Sequence, residues 1–339
     1  MQNGNPVVSA VIPTYNRAHV ICDAVDSVLA QSYPHIETIV VDDGSKDDTL
    51  ARLQQYGDRI RVVSQANAGP AAARNRGIAM ARGELIAFLD SDDLWLPEKT
   101  GRQVALLARA GKSVPCCLSN IMMKWNSGDR ASFDIALLKP SNEEGIWLNV
   151  DEVLATRFVL FNQGIMIRRE VLEKIGVFDE SIRYLEDVEF PLRLSFEGPW
   201  AFIATPLVTW RESMTNSVYK NSKRDELCTS ECLVKVLETH LARVENSARK
   251  ERLRKYVSRE LRRARRHLWL TKMSQRSSWG SGLAASLKIV DRYESALFRR
   301  SPWFPQMKVA AVQSKGGLDC NAPSHGPHTD LDAAEKLVE

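Results

Sequence analysis

The sequence has few cysteines, and their spacing is not that of a metal-binding or disulfide-bonded domain. Its 339 residues include 6 cysteines, of which Cys116 and Cys117 are adjacent, and no C-x-x-C pair occurs. Six cysteines are too few for a disulfide framework in a chain of this length, and a structural zinc site is not expected. The default compartment is therefore the reducing cytosol.

Long hydrophobic runs are also missing. No run of about 18 mostly apolar residues occurs, so no typical transmembrane helix is predicted. Residues 1–6 have neither the positive start nor the apolar middle of a secretory signal. Apolar residues make up 44% of the chain and charged residues 26%, which excludes a chain disordered throughout. We expect a soluble, cytoplasmic protein, or one attached peripherally to the inner face of the plasma membrane.

Charge is distributed unevenly along the chain. The formal net charge is +4, but residues 249–300 contain 16 Lys and Arg against four acids, a net of +12 that leaves −8 for the remainder. A basic run of this kind indicates an anionic partner such as phospholipid or nucleic acid.

Short apolar runs alternate with helical patterns over the first 110 residues. The patterns predict strands at 7–12, 36–41, 60–63 and 85–89, and helices at 18–31, 47–56, 71–81 and 97–109. Four strand–helix units with apolar strands predict an α/β fold, in which helices cover both faces of a mostly parallel sheet.

The second half of the chain is more irregular. The patterns predict strands at 114–123, 164–167 and 201–210, a turn at 127–129, and helices at 150–157, 169–174 and 186–196. From 222 to 297 the pattern is helical. From 313 onward Gly, Pro, Ser, His and Asp dominate, which predicts a disordered tail.

Acidic clusters follow two of the predicted strands, D-D-G-S at 42–45 and D-S-D-D at 90–93. In open α/β sheets, ligands bind beyond the carboxyl ends of the strands. Three carboxylates within four residues repel one another, so a divalent cation or neighbouring basic residues must offset the repulsion. Mg²⁺ and Mn²⁺ accept such oxygen ligands together with substrate phosphates. Alternatively, the acids cap the following helices and face water.

Charged residues elsewhere are open to two interpretations as well. Glu186 and Asp187 begin a predicted helix, where the dipole favours carboxylates without any function, but either is also a candidate general base. Arg74, in the helix at 71–81, is a candidate phosphate ligand or a solvated surface residue.

Together these segments resemble the inverting family 2 glycosyltransferases of GT-A fold. The resemblance is carried by residues 8–16 (V-S-A-V-I-P-T-Y-N), 40–45 with 48–49, 67–77, 83–93 and 186–187, in order and in register over roughly residues 7–215. It implies a GT-A, Rossmann-like sheet with flanking helices, to which a helical basic C-terminal extension is added.

The resemblance implies roles for residues that would bind the donor. Pro13 is a candidate substrate-binding residue, and Tyr15 resembles the residue that stacks on the nucleotide base. Asp43 resembles the carboxylate that reads the N–H of the base ring. Arg74 lies where the family contacts the donor, and Asp90 matches the acid nearer the ribose.

It also implies a metal ligand and a base. Asp92 resembles the direct ligand of Mn²⁺ or Mg²⁺, whereas Asp93 is an extra acid. Asp187 matches the catalytic base, with Glu186 beside it as a substrate-binding residue. Residues 162–164 and 210–211 are candidate acceptor-side or lid positions.

The expected function follows from these roles. Residues 1–110 would bind a UDP-linked nucleotide sugar. Residues 111–221 would bind the acceptor and contain the catalytic base. The helical extension would follow at 222–312 and the tail at 313–339. The sugar would pass with inversion to a hydroxyl of a glycan or lipid-linked acceptor, in surface polysaccharide or glycolipid biosynthesis. The alternative is a non-catalytic nucleotide-sugar-binding protein or a membrane adaptor.

The basic region has an apolar stripe at helical spacing, formed by Leu253, Tyr256, Val257, Leu261, Ala264, Leu268 and Trp269. One interpretation is a helix packed on the core or on a dimer partner. The other, which we favour here, is an interfacial helix on an anionic membrane. A nucleic-acid partner is not expected, because no nucleic-acid motif accompanies the charge.

Overall fold

The structure, a computed structural model, describes residues 5–156, 162–212, 225–245, 251–276 and 307–312. In the first half it contains β1 (Val8–Thr14), α1 (Ile21–Leu29), β2 (Ile36–Asp42), α2 (Thr49–Leu53), β3 (Arg61–Ser64), α3 (Pro70–Met80), β4 (Leu85–Phe88), β5 (Leu94–Trp95) and α4 (Lys99–Ala110). The predicted alternation of four strands and four helices is therefore confirmed.

The second half continues with β6 (Cys116–Lys124), β7 (Arg130–Ala131), α5 (Ser132–Ile135), β8 (Glu144–Trp147), α6 (Val150–Leu154), β9 (Ile165–Arg168), α7 (Arg169–Ile175), α8 (Glu186–Leu194) and β10 (Trp200–Arg211). The last elements are α9 (Glu226–Glu245), α10 (Glu251–Arg276) and β11 (Val309–Ala310). The predicted turn at 127–129 joins β6 to β7, which pair antiparallel.

One sheet runs through the described residues, in the order β11-β8-β10-β6-β9-β4-β1-β2-β3, with β5 paired to β10 and β7 to β6. Strands β1, β2, β3 and β4 are parallel to one another, as are β6 and β10. Strand β9 lies between β4 and β6 and is antiparallel to both. Consequently β6 and β10 run in the same direction as β1 to β4, and all six carboxyl ends lie along one edge.

Helices cover both faces of the sheet because successive strand residues point to opposite sides. One face is packed by α3, α8, α9 and α10, and the other by α1, α2 and α4. On α1, the buried residues recur at helical spacing: Ile21, Ala24, Val25 and Val28.

The basic extension contributes to the core, which corrects the interpretation of its apolar stripe. Leu253, Val257, Leu261 and Ala264 are buried in the same apolar cluster as α3 and α8. They are therefore not available to insert into a membrane, and packing on the core is the correct interpretation for this stripe. Tyr256 and Leu268 are partly exposed, and 56% of Trp269 is exposed.

The extension is also not helical throughout, because β11 pairs antiparallel with β8 at the edge of the sheet. Residues 222–224, 246–250 and 277–306 of the predicted extension and the predicted tail at 313–339 lie outside the described residues. Within the described ranges, no helix is long and apolar enough to cross a membrane.

Candidate active site

The predicted site residues follow the carboxyl ends of the parallel strands. Tyr15 follows β1, Asp43 follows β2, and Asp90 and Asp92 follow β4. Asp187 lies in the first turn of α8, which packs on the same side of the sheet as α3. Ligands of open α/β sheets bind at this edge, so the fold brings residues from distant parts of the chain to one position.

The loop after β1 holds Tyr15 outward. Asn16 adopts a left-handed conformation (φ 53°) that asparagine tolerates. Its backbone N–H donates to the Ser45 hydroxyl at 2.9 Å, and its side-chain oxygen accepts from the Lys46 N–H at 2.7 Å. Tyr15 is 40% exposed, and Pro13 is buried within β1 opposite Val41. An exposed ring held by a fixed backbone suits the predicted stacking role.

Asp43 is buried, and its carboxylate holds the loop before α3. Oδ1 accepts from the Ala68 N–H at 2.9 Å and from the Gln65 amide at 2.8 Å, and Oδ2 accepts from the Gly69 N–H at 2.8 Å. Since each carboxylate oxygen can accept two hydrogen bonds, Oδ2 keeps one acceptor position beyond these contacts. That Asp43 accepts a hydrogen bond from the N–H of the nucleotide base stays a prediction.

Arg74, predicted to contact the donor, binds two protein carboxylates. Its Nη2 donates to Asp90 Oδ1 at 2.7 Å, and its Nη1 donates to Glu186 Oε1 at 2.9 Å. Only 4% of Arg74 is exposed, and the two carboxylates raise the pKa of its guanidinium despite burial. Glu186 is buried as well, so it does not project from the helix surface.

Asp93 has a structural role rather than an open position in the site. Its two carboxylate oxygens accept from the Gln163 amide at 2.9 Å and from the Arg211 backbone N–H at 3.0 Å. Burial, followed by the nearby Asp90 and Asp92, raises its pKa well above the ordinary value. Gln163, a candidate acceptor-side or lid position, is buried.

Asp92 is the carboxylate of this cluster that fits a metal ion. Its side chain is partly exposed and lies 3.7 Å from the guanidinium Nε of Arg17. Burial and the neighbouring Asp90 raise its pKa, and Arg17 opposes the rise. No set of three or more His, Cys, Asp or Glu side chains in the described ranges could hold a metal by itself. Mg²⁺ and Mn²⁺ sites commonly use one or two carboxylates, with waters and substrate phosphates as the other ligands, and Asp92 suits such a site.

The charges at the site favour a cation once a diphosphate is bound, since Asp187, with a pKa of about 7, is only partly ionised near neutral pH. Five carboxyl groups meet three guanidinium groups here: Asp90, Asp92, Asp93, Glu186 and Asp187 against Arg17, Arg74 and Arg211. A diphosphate would add further negative charge. A divalent cation would offset part of the repulsion between these groups.

The pKa of Asp187 is raised toward neutral pH. Burial first, and then the like charges of Glu186 and Asp90, raise its pKa to about 7, against the opposing effect of Arg74. A general base is most effective when its pKa lies near the working pH. The predicted base therefore has a suitable environment, although helix N-termini by themselves favour the ionised form.

Sequence reasoning missed Arg17, and it placed Arg211 among the candidate acceptor-side or lid positions. Arg211 donates from Nε to the Asp92 carbonyl at 2.6 Å and from Nη1 to Asp23 at 2.8 Å, so it braces the donor-side acids. The positions of Arg17 and Arg211 in the sequence could have indicated that they lie at the site. Arg17 comes directly after the polar residues that follow β1, and Arg211 is the last residue of β10.

Comparison with known proteins identifies the family. The sequence model described as "Glycosyl transferase family 2" matches residues 9–176. TuaG of Bacillus subtilis, a glycosyltransferase assigned to teichuronic acid biosynthesis, is 33% identical over 225 residues, which cover 65% of this chain and 84% of TuaG. The glycosyltransferase RT0329 of Rickettsia typhi is 33% identical over 190 residues, 55% of this chain, and the match spans about 57% of its own length.

Solved structures share the fold. TarS of S. aureus in complex with UDP-GlcNAc superposes with a TM-score of 0.60 at 17% identity, covering 79% of this chain and 80% of TarS. The mannosyltransferase PcManGT from Pyrobaculum calidifontis in complex with GDP-Man and Mn²⁺ gives a TM-score of 0.51 at 19% identity, covering 87% and 79% of the two chains. At these identities the likeness concerns the fold alone, and it confirms the expected GT-A architecture.

Proposed function

Because the chain belongs to glycosyltransferase family 2, we propose that it transfers a sugar from a UDP-linked donor to an acceptor hydroxyl with inversion. The acceptor is a glycan or a lipid-linked saccharide, in surface polysaccharide or glycolipid biosynthesis. The observation that carries the proposal is the arrangement of two acids. Asp187, with a pKa of about 7, is linked through Glu186 and Arg74 to the acidic cluster that contains Asp92.

In the proposed reaction, Asp187 takes the proton of the acceptor hydroxyl as its oxygen attacks C1 of the sugar. The new C1–O bond forms while the bond from C1 to the diphosphate breaks, and the nucleoside diphosphate leaves with the electron pair. A base on the face opposite the leaving group gives inversion. Asp92 would hold Mn²⁺ or Mg²⁺, which stabilises negative charge on the diphosphate electrostatically when bound.

Binding of the donor is proposed for residues 1–110, and binding of the acceptor for residues 111–221. Tyr15 would stack on the base, Asp43 would accept the N–H of its ring through Oδ2, and Asp90 would contact the ribose. TarS and PcManGT, which share the fold, bind UDP-GlcNAc and GDP-Man with Mn²⁺ respectively, and TuaG is assigned to a polysaccharide pathway. These likenesses support a nucleotide sugar as donor and a glycan as product.

We also propose that the extension attaches the protein to the inner face of an anionic membrane. One face of α10 is exposed and carries, at helical spacing, Arg252, Lys255, Arg262, Arg266, Trp269 and Met273. Helix α10 packs on α9, and α9 packs on α8, which bears Asp187. A basic face on this side of the molecule supports an acceptor carried by a lipid.

A screen of nucleotide sugars tests the function. UDP-GlcNAc, UDP-glucose and GDP-mannose, each with Mn²⁺, are compared by thermal shift, since only a donor that binds the folded state stabilises it. The stabilising donor is then incubated with candidate acceptors, and released nucleotide and product anomer are measured. Binding without transfer or hydrolysis would favour the alternative, a non-catalytic nucleotide-sugar-binding protein.

A further inference from the structure

Arg74 joins two parts of the site that lie far apart in the sequence. It lies on α3, Asp90 follows β4, and Glu186 is the first residue of α8. Both ion pairs are short, at 2.7 and 2.9 Å, and the arginine is almost fully buried. The side chain therefore connects the donor-side acids to the helix that carries Asp187.

A second set of contacts docks the segment before α8 onto α3. The Asn75 amide donates to the Phe178 carbonyl at 2.9 Å, and the Phe178 N–H donates to the Asn75 side-chain oxygen at 2.9 Å. The Phe178 ring stacks on Phe190 of α8 at 4.3 Å, and the Arg74 guanidinium lies 5.4 Å from its centre. Helix α3 thus positions the start of α8 through neighbouring residues.

The choice of arginine has a physical reason. A planar guanidinium presents several N–H donors in a fixed fork and can bind two carboxylates at once, which a lysine ammonium does with less directional control. A charge buried this deeply needs partners to offset its loss of hydration. Conversely, Asp90 and Glu186 would repel each other and Asp187 if the arginine were removed.

We propose that Arg74 is a positioning residue that holds α8, and with it Asp187, at a fixed distance from the donor-side acids, rather than a ligand of the donor. The proposal rests on the proposed function for its catalytic consequence. Its structural content concerns only this chain, so it can be tested by donor binding and by titration of Asp187 without any transfer reaction.

The test compares Arg74→Met and Arg74→Lys with the wild-type chain, and uses Arg76→Met as the matched control. Arg76 is exposed on the same helix, so its loss removes a charge without changing the buried contacts. Circular dichroism and thermal melting first establish that each variant folds. Calorimetry with UDP and Mn²⁺ measures nucleotide binding, and carbon-13 NMR of labelled aspartate carboxyls follows the Asp187 titration, assigned by its loss in Asp187→Asn.

We expect the Kd for UDP to change less than threefold in Arg74→Met. The pKa of Asp187 should rise by about one unit, because a neighbouring positive charge is lost. In Arg74→Lys, the charge remains and the pKa should move less. Where transfer is measurable, kcat should fall by roughly 10²-fold in both variants, with little change in donor KM, because misplacement of a catalytic group has about this cost.

A Kd for UDP weakened more than tenfold, together with an unchanged Asp187 titration, would overturn the proposal and identify Arg74 as a donor ligand. Failure of the proposed function has a different signature. Wild-type protein would then show no transfer with any donor, while the UDP affinity and the Asp187 titration would still decide the role of Arg74. A variant that does not fold is replaced by Glu186→Gln, which weakens the same ion pair from the other side. There kcat should again fall with an unchanged Kd for UDP, but the pKa of Asp187 should fall rather than rise, because the like charge of Glu186 is lost. A Kd for UDP weakened more than tenfold in this variant, with kcat unchanged, would overturn the proposal.

Discussion

The guanidinium Nε of Arg17 lies 3.7 Å from Oδ2 of Asp92, which is the distance of a loose ion pair. Arg211 is near Asp92 as well, and its Nε donates to the backbone carbonyl of Asp92 at 2.6 Å. At 3.7 Å, the ion pair with Arg17 neutralises the Asp92 carboxylate only in part. A divalent cation that arrives with the donor diphosphate can bind this carboxylate without first breaking a strong contact.

We predict that binding of UDP-GlcNAc depends on Mn²⁺ through Asp92. In Asp92→Asn, calorimetry should show weaker donor binding and loss of the difference between samples with Mn²⁺ and with chelator, since the amide is a poorer metal ligand. Asp58→Asn, an exposed acid before β3, is the matched control and should behave as wild type. Equal donor affinity after chelation of the wild-type protein would refute the prediction.

We predict that Asp187→Asn separates turnover from donor binding. The substitution keeps the size of the side chain and removes its basicity, so turnover should fall by roughly 10²–10⁴-fold while donor affinity stays nearly unchanged. In the wild-type protein, kcat/KM should rise as the pH increases through about 7, because the base must be deprotonated. Near-wild-type turnover in the variant, or a product that keeps the donor's anomeric configuration, would show that the base is assigned wrongly.

We predict that His240 makes the fold sensitive to acid. His240, on α9, is buried against Phe196, and neither ring nitrogen has a partner among the described residues. Burial, and then the charge of Arg243, lowers its pKa to about 4. As the pH falls from 6.5 toward 4, the unfolded chain takes up a proton that the folded chain does not, so stability is lost in this range.

The measurement is chemical unfolding of His240→Leu and wild type at several pH values. In the wild-type protein, protonation of His240 in the unfolded chain should lower the free energy of unfolding by about 2 kcal/mol at pH 5. The variant should lack this loss. Glu189, Arg193 and Arg243 line the small cavity beside His240 and are present in both proteins. His19→Leu changes an exposed histidine and should show the wild-type dependence. Parallel pH profiles for His240→Leu and wild type would exclude this source of sensitivity.

We predict that the exposed face of α10 binds anionic vesicles. Arg252, Lys255 and Arg262 are changed together to Glu, a choice that leaves the buried face of the helix intact. Each basic residue near an anionic surface contributes about 1 kcal/mol, so loss of three should weaken binding by about 100-fold or more. Co-sedimentation with phosphatidylglycerol vesicles, at increasing salt, measures the change.

The control changes Arg52, Lys112 and Lys139, three exposed basic residues outside α10, to Glu. It should bind vesicles nearly as wild type does. Truncation before α10 is not a suitable test, because it would expose the core surface that Leu253 and Val257 cover. Binding that is indifferent to lipid charge, or equal weakening by both triple variants, would contradict attachment through α10.

Much of the fold was predictable because it depends on local patterns. The apolar runs of β1, β2 and β4 and the amphipathic spacing of α1 and α4 are properties of neighbouring residues. The acidic cluster at 90–93 was predictable at a strand end for the same reason. The roles of the individual acids in this cluster were not predictable from the sequence. Asp93 binds Gln163 while Asp92 stays partly exposed, and this difference depends on residues about 70 positions away.

The sequence by itself determined which residue types stand at the ends of the strands, and hence the class of site. Only the tertiary structure decided their partners. Arg74 is 112 residues from Glu186, and no local pattern relates two such positions. The stripe on α10 is similar: its period of 3.6 residues predicts an apolar face for a membrane and for a protein core alike. The core covers it here because α9 and the sheet present a complementary apolar surface, so burial there removes the stripe from water.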